Sequence, residues 1–108
     1  MERNTKNYEP SLCFYAEAFY KKGDYEAAAR VAIDAHQRAL SSENWKDNPP
    51  PAPVTIAGKS YRAIGKQAKK SGDVEKAIGY FGKIIELGVA TDNDKKVLEK
   101  LQKRIEQQ

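Results

Sequence analysis

Four basic residues in the middle of the chain recur at helical spacing: Lys59, Arg62, Lys66 and Lys69. Steps of 3, 4 and 3 residues place them on one face of an α-helix, and Lys70 adjoins them. Like charges at this spacing repel each other weakly. A solvated helix face is one interpretation of the pattern. A surface for an anionic partner, whose charge would turn the repulsion into binding, is the other.

Charge is distributed unevenly along the sequence. Residues 1–44 contain six Lys/Arg and seven Asp/Glu, whereas residues 45–108 contain thirteen and eight, so the net charge of +4 comes from the second part. Nucleic acid is a rival anion for this basic part, but the strip on one helix is only ~15 Å long, and no base-reading motif accompanies it. We therefore rank nucleic acid below an acidic protein as the partner.

Candidates for catalysis are few. A nucleophilic pair would need Cys13 and His36, which fall on different predicted helices, to face each other. A lone cysteine in a helical protein more often fills space in the packing, and one cysteine permits neither an internal disulfide nor a thiolate cluster. No metal-site spacing and no phosphate-binding glycine loop is present. We expect no enzyme, no cofactor and no metal.

The composition predicts a single all-α domain over residues 1–108. Alanine, lysine and glutamate are plentiful, while β-branched residues are too scattered for a sheet. The polar residues 1–10 lack the apolar core of a signal peptide, and no apolar run approaches the ~20 residues that span a bilayer. We expect a cytoplasmic protein without membrane association.

The basic helix belongs to a pattern that occurs twice. Gly23-Asp24 and Gly72-Asp73, separated by 49 residues, each follow one apolar helical stripe and precede another. A glycine that ends a helix and an aspartate that caps the next one predict a helix–turn–helix hairpin at each place. Such hairpins bury their apolar faces by stacking on each other.

The predicted elements follow from these signals. Hairpin one covers about residues 10–42, with Ser11 as N-cap and Tyr15 on the inner stripe of helix one. Residues 43–53 form a Pro-rich linker, with Pro49 to Pro53 expected in polyproline II conformation. A spacer is the simpler interpretation of this segment, and a Pro-rich ligand is the alternative.

Hairpin two is predicted over about residues 54–88, with Ile85 on the inner stripe of helix four. A capping helix follows over about residues 92–107, where Thr91 and Asp94 have the spacing of a capping box. A terminal helix with one apolar face would close an open-ended stack.

In this register the chain resembles the tetratricopeptide repeat (TPR), a 34-residue helix–turn–helix unit. The matching positions of copy one are Leu12, Tyr15, Ala16, Phe19, Gly23, Tyr25, Ala28, Ala32 and Ala35. Those of copy two are Tyr61, Ile64, Gly65, Ala68, Gly72, Val74, Ala77, Phe81 and Ile84. The resemblance implies two TPR-like hairpins and a capping helix in a right-handed α-solenoid fragment that acts as a protein-binding scaffold.

The resemblance also implies where a partner would bind. The family's groove is lined by the first helix of each hairpin, which in copy two carries Lys59, Arg62, Lys66, Lys69 and Lys70. In copy one the corresponding positions include Cys13, Glu17 and Tyr20. We expect an adaptor that binds an acidic peptide or helix against the basic face of helix three. Charge reversal at Lys66 and Lys69 should then weaken binding more than reversal at Lys95 and Lys96.

A second functional class is a structural subunit of a larger assembly. Phe14 lies off the main stripe of helix one, on the side where a preceding repeat would pack. Self-association through helix one, giving a homodimer, is therefore an open alternative.

Overall fold

The computed structural model describes residues 8–107, and over this part of the chain the all-α prediction is confirmed. The five helices are α1 (Ser11–Lys22), α2 (Tyr25–Ser41), α3 (Ala52–Lys70), α4 (Val74–Leu87) and α5 (Asp92–Glu106), and no strand occurs among the described residues. The chain divides into two compact units, Met1–Ala57 and Gly58–Gln108. The division falls inside α3.

The turn between α1 and α2 has the predicted chemistry. Gly23 ends α1 with φ 86°, a left-handed conformation that residues with a Cβ rarely adopt. Asp24 then caps α2, its carboxylate accepting a hydrogen bond of 3.2 Å from the backbone N–H of Ala27. The glycine and the aspartate together satisfy backbone groups at both helix ends.

Alanines occupy the buried positions of α1 and α2. The buried residues of these two helices are Ala16, Ala27, Ala28, Ala29, Ala32, Ala35 and Ala39. Small side chains allow two helix backbones to approach closely. The prediction of Tyr15 on the inner stripe is wrong, because Tyr15 is 61% exposed, and the buried residue of α1 is the neighbouring Ala16. Phe14, at 75% exposure, lies off the stripe as predicted.

The cap of α1 and the start of α3 differ from the prediction. Pro10 occupies the N-cap of α1, and the Ser11 hydroxyl donates to Glu9 Oε1 at 3.5 Å rather than capping the helix. Helix α3 begins at Ala52, inside the predicted Pro-rich linker. The carbonyl of Pro51 accepts a 3.0 Å hydrogen bond from the Thr55 N–H. Proline is tolerated in the first turn of a helix because no intrahelical partner exists there for its missing N–H.

The turns of the second unit repeat those of the first. Gly72 has φ 85°, and Asp73 caps α4 by accepting a 3.2 Å hydrogen bond from the Lys76 N–H. At the start of α5, the predicted capping box is confirmed: Thr91 and Asp94 each accept a hydrogen bond from the other's backbone N–H. These bonds fix where α4 and α5 begin.

Large side chains fill the core of the second unit. Phe81, Ile84 and Leu101 are each at most 1% exposed. Phe81 packs on Gly65 of α3 so closely that a Cβ there would lie 2.8 Å from its ring. The prediction of Ile85 on the inner stripe is wrong, since it is 40% exposed. The stacking of the two hairpins as a solenoid stays a prediction.

Candidate functional site: a basic groove between α3 and α5

Two rows of basic side chains lie on either side of a groove in the second unit. Six basic residues line it: Lys66, Lys69 and Lys70 from α3, and Lys96, Lys100 and Arg104 from α5. The groove is open to solvent and has a volume of about 550 Å³, within the usual range for ligand-binding clefts. We call this feature the basic groove.

The interior of the basic groove is less polar than its rim. Val97 lines it from α5, and Phe81, only 1% exposed, closes its base. The methylene stems of lysine side chains lie along apolar surfaces while their ammonium groups reach solvent. Asn93 is the uncharged polar residue of the lining. The groove therefore combines a cationic rim with an apolar floor.

An ion pair joins the two helices that carry the rim. Arg62 of α3 donates two hydrogen bonds to the Asp94 carboxylate of α5, from Nε at 2.8 Å and from Nη2 at 2.7 Å. The Asp94 side chain is 1% exposed and also accepts from the Thr91 N–H. The Arg62 hydrogen bonds are the main cause holding the pKa of Asp94 below its ordinary value, against the opposing effect of burial.

Asp94 thus has two structural roles. Its backbone and side chain complete the N-terminal cap of α5, and its carboxylate binds the guanidinium of α3. A bidentate pair restricts both the distance and the rotation of the two helices. Because Lys96 and Lys100 follow Asp94 on the same helix, the pair helps to present them toward α3.

The positive charge of the rim is not balanced locally. Among the residues that the structure describes, no acidic side chain lines the groove. Within residues 8–107, none of the six basic side chains forms an ion pair. Mutual repulsion of these cations is a small cost to stability that an anionic ligand would relieve. The chemistry that this arrangement supports is the binding of anions.

The sequence-predicted basic face divides into three parts. Lys66, Lys69 and Lys70 line the groove. Arg62 instead holds Asp94, so its charge serves the architecture of the site. Lys59 is partly buried and does not belong to the lining.

The predicted site residues of copy one lie in the other unit. Cys13, Glu17 and Tyr20 belong to α1. The Cys13 sulfur is 3.5 Å from the Tyr8 hydroxyl, and burial, together with this contact, raises the pKa of Tyr8 to about 12. Tyr20 packs on Tyr25 with ring centroids 5.2 Å apart.

Sequence reasoning missed the α5 half of the rim. Lys96, Lys100 and Arg104 recur at intervals of four residues, which places them on one helix face. That spacing could have revealed them by the argument that found the row on α3. Because Lys96 lines the groove, it is also unsuitable as a control for charge reversal. Lys95 and Lys103, exposed on the same helix but outside the lining, serve instead.

Comparison with other proteins gives no independent identification. No family model, curated protein or solved structure matches this chain. Over residues 8–107, no helix combines the length and the apolar character needed to cross a bilayer. In the same range, no three His, Cys, Asp or Glu side chains form a group that could hold a metal ion.

Proposed function

We propose that this protein is a TPR-like interaction module, an adaptor that binds an acidic segment of a partner protein in the basic groove. The observation that carries the proposal is the convergence of six cations from two helices on one concave surface, where none of them forms an ion pair with another residue of 8–107. If the lysines of α3 were only a solvated helix face, a second row of cations on α5 opposite them would not be needed. Cations on a rim steer an acidic partner toward the site and fix its orientation.

An acidic protein segment fits the charge distribution better than nucleic acid does. The groove occupies one side of α3 and α5, and residues 1–57 carry seven Lys/Arg against eight Asp/Glu. Proteins that follow a phosphate backbone usually carry a more extensive basic surface. A confined groove with an apolar floor favours a short polypeptide.

The test uses a fluorescein-labelled polyglutamate peptide and fluorescence anisotropy. Wild type is compared with Lys66→Glu/Lys69→Glu and with the matched control Lys95→Glu/Lys103→Glu, which makes the same change in net charge on α5. We expect the groove variant to bind roughly tenfold more weakly or worse, and the control to change by about twofold or less. Circular dichroism establishes that both variants remain helical.

Two results would contradict this proposal. Equal weakening by both variants would mean that the peptide responds to net charge and not to the groove. Tighter binding of a mixed-sequence oligonucleotide than of polyglutamate, lost in the groove variant, would assign the groove to nucleic acid. Measurements at low and physiological salt separate these cases, since phosphate binding depends more steeply on salt.

A second candidate function is self-association through α1. Phe14 and Tyr15 are adjacent and are 75% and 61% exposed, which leaves two aromatic rings at the surface of the first unit. Sedimentation velocity over a concentration series tests this candidate. A monomer–dimer equilibrium lost in Phe14→Ser/Tyr15→Ser would support it, and a wild-type monomer at high micromolar concentration would exclude it.

A further inference from the structure

We infer that the ligand of the basic groove is an amphipathic helix with carboxylates on both flanks and one bulky aliphatic side chain between them. This inference rests on the proposed function and specifies the chemistry of the partner. It follows from the positions of the charges, the nature of the floor and the kinds of cation present.

The cations form two separate rims, not one cluster. On α5, the row of Lys96, Lys100 and Arg104 ends eight positions after it begins, which is about 12 Å along a helix axis. On α3, Lys66 to Lys70 cover one turn opposite them. A ligand that pairs with both rims must present anionic groups on two sides of its own axis.

A small apolar patch lies between the two rims. Val97 is partly exposed there, and Phe81 closes the base beneath it. Polar groups of a ligand placed on this floor would lose hydrogen bonds to water without replacement. An aliphatic side chain has no hydrogen bonds to water to lose there, and its burial removes apolar surface from water. The floor therefore selects one apolar residue in the middle of an acidic segment.

A helix meets both conditions at once. Side chains three and four residues apart flank a central position on either side of one helical face. In an extended segment, successive side chains point to opposite faces, so the neighbours of an inserted residue point away from the rims. Helix-in-groove docking is a common mode of recognition for a short apolar cleft.

The kinds of cation favour carboxylates over a single phosphate. Five of the six rim residues are lysines, and Arg104 is the one arginine. Lysine acts as a flexible point charge, whereas recognition of a phosphate group typically uses clustered arginines that bind its oxygens in pairs. Several lysines along two rims match several carboxylates distributed along a helix.

The experiment compares three short probes in the anisotropy assay. The first is an acidic helical peptide with one central leucine and glutamates on both flanks. The second has alanine at the central position, which keeps charge and helicity. The third is inorganic pyrophosphate, used as a competitor at matched ionic strength. We expect alanine to weaken binding roughly tenfold with little dependence on salt, and pyrophosphate to compete poorly.

The outcomes separate this inference from the proposed function. Equal affinity of the leucine and alanine peptides, with both lost in Lys66→Glu/Lys69→Glu, would overturn the inference and leave the acidic-segment module intact. Displacement of the peptide by low concentrations of pyrophosphate would overturn it by assigning the rims to phosphate. Failure of both peptides to bind in a groove-dependent way would contradict the proposed function itself.

A variant of the protein checks the floor directly. Val97→Thr replaces one methyl group by a hydroxyl group at nearly constant shape. It should reduce the preference for leucine over alanine several-fold while leaving the affinity of the alanine peptide nearly unchanged. An unchanged preference would place the leucine elsewhere and contradict the inference. Because the peptide series is measured on the wild-type protein, it still tests the inference if the Val97 variant folds poorly.

Discussion

The two units use the same turn and build different interiors around it. In the first unit, the buried residues of α1 and α2 are all alanines. In the second, Phe81, Ile84 and Leu101 fill the core, and an ion pair with a buried carboxylate joins α3 to α5. The first unit leaves aromatic rings at its surface, while the second concentrates basic side chains around a groove.

This difference shows that the residues needed to form a hairpin are not sufficient to form the groove. A glycine, an aspartate and two apolar stripes suffice for the helices and the turn, since both units contain them. The groove additionally needs a third helix at a defined position, and in the second unit that position is fixed by Arg62 and Asp94. In our proposal, ligand binding therefore depends on the third helix of the second unit and not on the hairpin alone.

The largest expected effect is on the core of the second unit. Phe81→Ala removes the ring that packs on Gly65 and leaves a cavity, so we expect the free energy of unfolding to fall by about 4 kcal/mol. Tyr15→Ala in the first unit, where the ring is 61% exposed, should cost less than about 1 kcal/mol. Urea denaturation measures both. Similar losses would contradict the proposed difference between the two interiors.

The second largest loss of stability is expected when the Arg62–Asp94 ion pair is broken. Arg62→Met leaves the Asp94 carboxylate buried without its main partner, and we expect a loss of about 3 kcal/mol. The matched control is Arg38→Met, which removes a 2.9 Å pair with Asp34 that is 25% and 41% exposed and should cost about 0.5 kcal/mol. A loss at Arg62 no greater than that at Arg38 would show that the pair does not hold α5.

A pH titration examines the same pair more finely. The pKa of Asp94 is lower in the folded state than its ordinary value, so ionised Asp94 stabilises the fold. This contribution is complete above the ordinary carboxyl pKa of about 3.9 and is lost as the pH falls through the native pKa. The stability difference between wild type and Asp94→Asn should therefore shrink on acidification. A difference that is constant down to the acid limit would contradict this assignment.

The turns offer a comparison in which the two units should agree. Gly23 and Gly72 have φ 86° and 85°, and a Cβ at either position would meet no atom of residues 8–107 within 4 Å. The cost of Gly→Ala is then backbone strain alone, about 1 kcal/mol at each site. Thermal denaturation of the two single variants should give nearly equal losses. A much larger loss at one site would mean that its turn depends on contacts beyond the backbone.

Local chemistry explains which parts of the fold are readable in the sequence. The caps at Asp24, Asp73 and Thr91 involve residues within three positions of each other, so spacing alone reveals them. The predicted start of α3 at about residue 54 is too late, because a run of prolines is typical both of an extended segment and of a first helical turn. The exposure of Tyr15 depends on how close the partner helix lies, which periodicity does not specify.

For a related reason, only the α3 half of the candidate site could be predicted from the sequence. The α3 row stands out because residues 54–72 contain no acid. Acidic residues are interspersed in α5, and there the row at intervals of four is less conspicuous. The partner of Arg62 lies 32 positions away in Asp94, which already has a local role in the capping box. Because the capping box already accounts for Asp94, the sequence does not indicate that this residue also binds Arg62.

Mapping where an acidic ligand binds shows whether the basic groove is the binding site. Polyglutamate is titrated into the ¹⁵N-labelled protein, and amide chemical-shift changes are recorded in two-dimensional NMR spectra. We predict that the largest changes fall on α3 from residue 66 to 70 and on α5 from residue 93 to 104, with little change on α1 and α2. Changes centred on α1, or spread evenly over every exposed lysine, would contradict the claim that the basic groove is the binding site.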